Sequence, residues 1–177
     1  MDLFVDPTKS AEPIQRRGIR GGGERIDGHK AKVASSTVAL FLSPEWIAEL
    51  DDAARAVPDL SAMTEDVRLV IEQRITAPDA PLNGDPEVVY HVLFDHGQVE
   101  VRSGAATEAT VTFTQDRDVA TAIATGRQSA QQAFMTGGLR VGGNLQDLLA
   151  NQGVLSKLTD VFAAVRQATT FPAAPEV

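Results

Sequence analysis

The chain has 177 residues, 43% hydrophobic, 5% aromatic and none cysteine, with a formal net charge of −8. That length holds one domain of ordinary size with a tail; its core must be aliphatic, and disulfides, thiolate nucleophiles and Cys-ligated metals are excluded. Residues 1–35 carry seven Lys/Arg against five Asp/Glu, while residues 36–177 carry nine against nineteen, so the body repels phosphate backbones and nucleic acid is not an expected partner.

From Met1 to Thr37 there is no helical or strand period. Gly18, Gly21, Gly22, Gly23 and Gly28 interleave with charged residues, including the basic cluster Arg16, Arg17, Arg20 and Arg25. Few apolar groups offset the entropy of ordering, and residues 1–37 are expected to form a flexible tail. The start Met1-Asp2-Leu3-Phe4-Val5-Asp6-Pro7 is acidic where a signal peptide is basic. No apolar run approaches the ~20 residues that span a bilayer. Stable membrane insertion is therefore not expected, and the expected location is cytoplasmic.

An ordered domain is expected over residues 38–170, with a short tail over 171–177. It begins with Val38-Ala39-Leu40-Phe41-Leu42. Ser43-Pro44-Glu45 then supplies an N-cap, a proline at the first helical position and an acid in the first turn. Ile47, Leu50, Ala54 and Val57 recur at helical spacing until Pro58, and Trp46 beside them reads as a core or rim aromatic. Val67, Leu69, Ile71, Gln73 and Ile75 alternate with Arg68, Glu72, Arg74 and Thr76, the period of a strand with one buried face. A loop through Pro78, Pro81 and Asn83-Gly84-Asp85-Pro86 leads to a second strand, Glu87 to Phe94, with Tyr90, Val92 and Phe94 on one side. Asp95-His96-Gly97 turns into a third strand carrying Val99 and Val101, and Ala109 to Phe113 forms a fourth. Such short loops predict antiparallel neighbours.

The remainder reads as helical with one interruption. A helix opens over Thr114-Gln115-Asp116-Arg117-Asp118, carries Val119, Ala122 and Ile123, and closes at Gly126. Ser129 caps a short helix that stops at Gly137; Leu139-Arg140-Val141 is a fifth strand; Asn144 caps a helix with Leu145, Leu148 and Leu149. Gly153 is expected to break it before Val154, Leu155, Leu158, Val161, Phe162 and Val165 continue at spacings of three and four.

Catalytic constellations are scarce. His91 lies mid-strand beside Tyr90, and His96 lies in a turn. Asp116 and Asp118 are explained by the helix dipole, and Gly137-Gly138 and Gly142-Gly143 lack the Lys and the helix start of a phosphate loop. No catalytic residue, metal or cofactor is expected. The segment Gln131 to Gly143 has no nucleophile, histidine or carboxylate; its apolar members Ala133, Phe134, Met135, Leu139 and Val141 and its permissive glycines are the makings of a packed cavity wall.

The blocks Thr110-Val111-Thr112-Phe113-Thr114, Gln132-Ala133-Phe134-Met135-Thr136-Gly137, Leu139-Arg140-Val141 and Gly142-Gly143-Asn144-Leu145 resemble the signature of the sterol-carrier-protein-2 domain family. Members usually read Ala-Phe-Met-Ser/Thr-Gly-Lys-Leu-Lys-Ile-Lys-Gly-Asp there, ahead of a Leu-rich helix. This chain has Gly138 where Lys is usual and Asn144 where Asp is usual, and the lost lysine weakens any attraction to anionic lipid. The resemblance spans roughly residues 38 to 168. It implies an α+β fold: a five-stranded, mostly antiparallel sheet covered on one face by about five helices, with a hydrophobic tunnel between. It also implies non-enzymatic binding and carriage of a fatty acid, acyl-CoA or sterol-like lipid, with transient contact with membranes or lipid-metabolising enzymes. The expected lining is Phe113, Ile123, Phe134, Met135, Val141, Leu148, Leu155, Leu158 and Phe162. An accessory module that presents substrate to a lipid-metabolising enzyme is the alternative, and an isomerase-type enzyme a more distant one. Some relatives end in a peroxisomal Ser-Lys-Leu-type signal; this chain ends Ala174-Pro175-Glu176-Val177.

Overall fold

Helix α1 (Pro44–Arg55) starts where the sequence predicts: the Ser43 hydroxyl accepts a hydrogen bond from Trp46 N at 3.2 Å, and Pro44 occupies the first position. Ahead of it a tight turn places Leu42 at φ 66°, and Ser43 N bonds to Leu40 O at 2.9 Å. This left-handed geometry is costly for a leucine, and complete burial of the side chain offsets the cost. α1 ends at Arg55, ahead of Pro58 as the sequence predicts. The proline also begins a second helix that was not expected, α2 (Pro58–Met63), because the first helical position has no use for the missing N–H. The computed structural model describes residues 38–77 and 85–171, all within the unit of residues 36–177. The tail expected over 1–37, the loop residues 78–84 and residues 172–177 lie outside the described residues.

Two short strands, β1 (Ala39–Leu40) and β7 (Thr169–Thr170), pair in parallel and tie the two ends of the domain together. The main sheet contains β2 (Arg68–Thr76), β3 (Glu87–Asp95), β4 (Gln98–Ser103), β5 (Val111–Asp116) and β6 (Leu139–Gly143), in the order β4-β3-β2-β5-β6. The β3–β4 turn has positive φ at both His96 and Gly97, as a two-residue hairpin requires.

Three ladders are antiparallel, but β5 lies parallel to β2. The expectation of antiparallel neighbours fails at this one step. The outer edge of β4 is already taken by α1, where Asp51 Oδ1 accepts from Val101 N at 2.7 Å. The chain after β4 therefore crosses the sheet instead of folding back. Along residues 104–110, Gly104 O meets His91 Nδ1 at 2.9 Å and Ala106 N donates to Glu72 Oε2 at 2.8 Å.

Helices α3 (Arg117–Ala124), α4 (Ala130–Met135), α5 (Leu145–Ala150) and α6 (Gln152–Val165) bring the number among the described residues to six, the extra one being α2. Asp116, Ser129 and Asn144 cap α3, α4 and α5 through their side chains. Helix α3 starts at Arg117 and not at Thr114, because Thr114 and Gln115 are held in ladders with β2 and β6. The break expected at Gly153 falls at Asn151. Gly153 sits in the first turn of α6, where a Cβ would come within 2.7 Å of Met63 Cε; its missing side chain permits close α2–α6 packing.

Side chains alternate across the sheet, and the register sorts them cleanly. Leu69, Ile71, Tyr90, Val92, Phe94, Val99 and Val101 share the face that joins the core with α1, α2 and α6. Within it Trp46 is buried, meets Phe41 edge-on at a ring distance of 5.0 Å and Tyr90 at 5.8 Å, and donates from Nε1 to Thr169 Oγ1 at 3.1 Å. Every charged side chain of the main sheet falls on the opposite face by the same alternation: Arg68, Glu72, Arg74, Glu87, Asp95, Glu100, Arg102, Asp116 and Arg140, with His91 among them.

Candidate functional site

The cross-strand rows of the helix-covered face show where packing stops. One row, Val101, Val92, Ile71 and Val111, is buried throughout and ends at Gly143 on β6. Gly143 has φ 90°, and a Cβ there would lie 2.3 Å from Thr110 O, so only glycine lets β6 approach β5 this closely. The next row runs Ser103, Tyr90, Gln73, Phe113 and Val141. Only Tyr90 is buried in it; Gln73, Phe113 and Val141 are half-buried. A third row contains Val88, Ile75, Gln115 and Leu139.

Beyond the β5–β6 end, the helices also leave apolar groups uncovered. Phe134 and Met135 on α4 are 52% and 77% exposed, and Leu145 and Leu149 on α5 are 47% and 61% exposed. Helix α5 has no buried residue at all. Helix α6 divides its apolar stripe: Val154, Leu158, Val161 and Val165 face the core, while Leu155 and Phe162 pack against it half-buried. Four of the seven large apolar side chains that are exposed among the described residues stand on the two helices that precede and follow β6.

The nine residues expected to line a cavity are therefore distributed as follows. Leu158 is part of the core. Phe113, Ile123, Val141, Leu148, Leu155 and Phe162 are half-buried, and Phe134 and Met135 are exposed. The register brings Phe113 and Val141 side by side on the covered face, and Phe113, Leu155, Leu158 and Phe162 belong to one apolar cluster. Two polar members, Gln73 and Gln115, were not singled out from the sequence. Gln73 had a legible signal, since it occupies the apolar phase of its strand. Gln115 was hidden by being read as a helix start.

Electrostatically the covered face is quiet. Its one ionisable group is Tyr90, whose phenol is pushed up from its ordinary value by burial. The two histidines among the described residues are engaged elsewhere: His91 Nδ1 donates to Gly104 O on the far face, and His96 Nδ1 lies 2.6 Å from Asp95 Oδ1 in the hairpin turn. Asp116 Oδ1 accepts from Val119 N at 2.8 Å as a helix cap. Among the described residues no group of three or more His, Asp or Glu could hold a metal, and no helix is long and apolar enough to cross a membrane.

Comparison with solved structures gives the same topology. The chain is similar to a conserved hypothetical protein of Thermus thermophilus (TM-score 0.57, 17% identity, covering 78% of this chain and 96% of that one). It is also similar to a crystal structure of sterol carrier protein 2 (TM-score 0.55, 17% identity, 69% and 96% covered). A lower similarity is to sterol carrier protein 2 of Yarrowia lipolytica in its apo form (TM-score 0.49, 18% identity, 64% and 89% covered). No curated protein sequence matches it significantly. The sequence profile of the SCP-2 sterol transfer family matches residues 47–156, from α1 through the start of α6. With a five-stranded sheet, one helix-covered uncharged face and this match over most of its length, the chain belongs to the SCP-2 sterol transfer family.

Proposed function

We propose that the protein binds the apolar body of a lipid against the half-buried end of the covered sheet face and carries it without chemical change. The observation that supports this reading most is the change from buried to half-buried along that face. Phe113 and Val141, with Leu148, Leu155 and Phe162 from the helices, have apolar surface that the protein itself does not fully cover. The exposed Phe134, Met135, Leu145 and Leu149 form the rim over which a lipid passes. Family membership favours the same reading, and the printed name of a structural relative, sterol carrier protein 2, points to a lipid-sized ligand.

The energetics suffice without a polar motif. Each methylene moved from water gains about 0.8 kcal/mol, so a long acyl chain gains on the order of 10 kcal/mol gross. Association and ordering take back several kcal/mol, which leaves affinity near the micromolar range. The work is carriage, and no nucleophile or general base is required. We place it in the cytoplasm, with transient contact at membranes or lipid-metabolising enzymes where cargo is exchanged.

Native mass spectrometry of gently purified protein tests the proposal, with the expected result a mass excess that denaturation releases as lipid. No co-purifying lipid, together with no uptake of a fluorescent fatty acid or fluorescent sterol, would overturn it.

A further inference from the structure

The half-buried end of the covered face is not wholly apolar. Gln73 and Gln115 stand on it, on the adjacent parallel strands β2 and β5. Gln73 is directly opposite Phe113, so Gln115 is its diagonal neighbour, at a separation of about 7–8 Å between Cα atoms. A single polar group can reach both amides. Gln115 lies between Ile75 and Leu139 in the ladders, both buried and apolar. Its Oε1 is buried and has no hydrogen-bond partner among the described residues. Native proteins pair nearly all such atoms, because an amide oxygen taken from water without a donor is destabilising.

From this we infer that Gln115, with Gln73 beside it, receives the polar end of the cargo, and that the site selects neutral lipids bearing a hydroxyl over fatty-acid anions. The inference rests on the lipid-binding reading above. A hydroxyl donates the hydrogen bond that Oε1 lacks. An ionised carboxylate offers only acceptors: it can take N–H groups of the amides but leaves Gln115 Oε1 without a donor, and it gives up its hydration with no cation of the sheet beside it. The sheet supplies no cation on this face, since Arg68, Arg74, Arg102 and Arg140 all alternate to the other side. On the sheet face itself the polar end of the cargo therefore meets amides and not charges.

The experiment uses the full chain and displacement of a pyrene-labelled long-chain alcohol. Competitors are hexadecanol, its methyl ether, which cannot donate, and hexadecanoate. Hexadecanol is expected to compete about tenfold more tightly than the ether, the value of one net hydrogen bond, and more tightly than hexadecanoate. In Gln115→Leu the alcohol should fall to the level of the ether while the ether is unchanged, and the ligand-free melting temperature should not drop. Equal competition by alcohol and ether in the wild-type protein, or a preference that persists in Gln115→Leu, would overturn the inference while leaving lipid binding intact. Failure of the probe and all three competitors to bind would remove both readings. Should Gln115→Leu not fold, the wild-type ligand series still decides.

Discussion

The two ends of the covered sheet face are built differently from the same kinds of residue. At the β3–β4 end, valine and phenylalanine side chains meet α1 and α6 directly, and Leu50, Val92 and Phe94 have no exposure to solvent. At the β5–β6 end Val111 and Leu139 are still buried, but Phe113 and Val141 are half-buried and Phe134, Met135, Leu145 and Leu149 on the adjoining helices are exposed. The difference is in the covering elements. Helix α1 has twelve residues with its apolar side on β4, whereas α4 and α5 have six residues each. Helices of less than two turns bring too few side chains to close a surface. The lesson is that composition sets how much apolar surface exists, and helix length decides whether the protein or something else covers it.

That contrast can be broken by substitution. Phe94→Ala, in the closed half, should lower unfolding free energy by about 3–5 kcal/mol, because the cavity cannot collapse within a close-packed core; chemical denaturation followed by the fluorescence of the single tryptophan, Trp46, would measure it. A loss under ~1 kcal/mol would mean this half is also loosely packed. Leu155→Trp, in the open half, should cost only about 1 kcal/mol of stability, yet lower lipid affinity about tenfold or more by intruding on the proposed lipid site. Unchanged lipid affinity in a folded variant would remove Leu155 from the lining.

Smaller effects sharpen the picture. Phe134→Ser should change stability by no more than ~0.5 kcal/mol, as expected for an exposed side chain, while slowing lipid uptake in stopped-flow transfer from vesicles. If it destabilised the fold strongly, Phe134 would belong to the closed half. The smallest effect is on pH. Burial raises the Tyr90 phenol in the folded state, so its contribution to stability is complete below about pH 10, the unfolded value, and is lost as pH rises through the folded value. Since Tyr90 is the only tyrosine, ultraviolet titration should show tyrosinate forming at higher pH in folded than in denatured protein. Coincident curves would show that its ring is open to water.

Much of the fold was legible. The Ser43, Ser129 and Asn144 caps, the Asp95 to Gln98 hairpin and the buried phase Leu69, Ile71, Ile75 all rest on local chemistry, and the structure places them as read. The misreadings cluster where a tertiary partner overrides a local signal. Pro58, read only as a stop for α1, also starts α2. Thr114 and Gln115 look like a helix start and are strand, because β2 and β6 flank them. For the candidate site, the apolar residue types around the Ala133 to Gly137 block were readable, but their exposure was not.

The amino-acid order alone determined which side chains share a face, because alternation along a strand and the 3.6-residue helical period are properties of the local backbone. It therefore determined that the covered face carries no charge. Only the tertiary structure decided that β5 runs parallel beside β2, which sets Gln115 diagonal to Gln73 and Phe113 beside Val141. It alone decided that α4 and α5 leave Phe134, Met135, Leu145 and Leu149 uncovered. Both follow from contacts between segments distant in sequence, whose free energy is set by the packing of whole elements and by no local pattern.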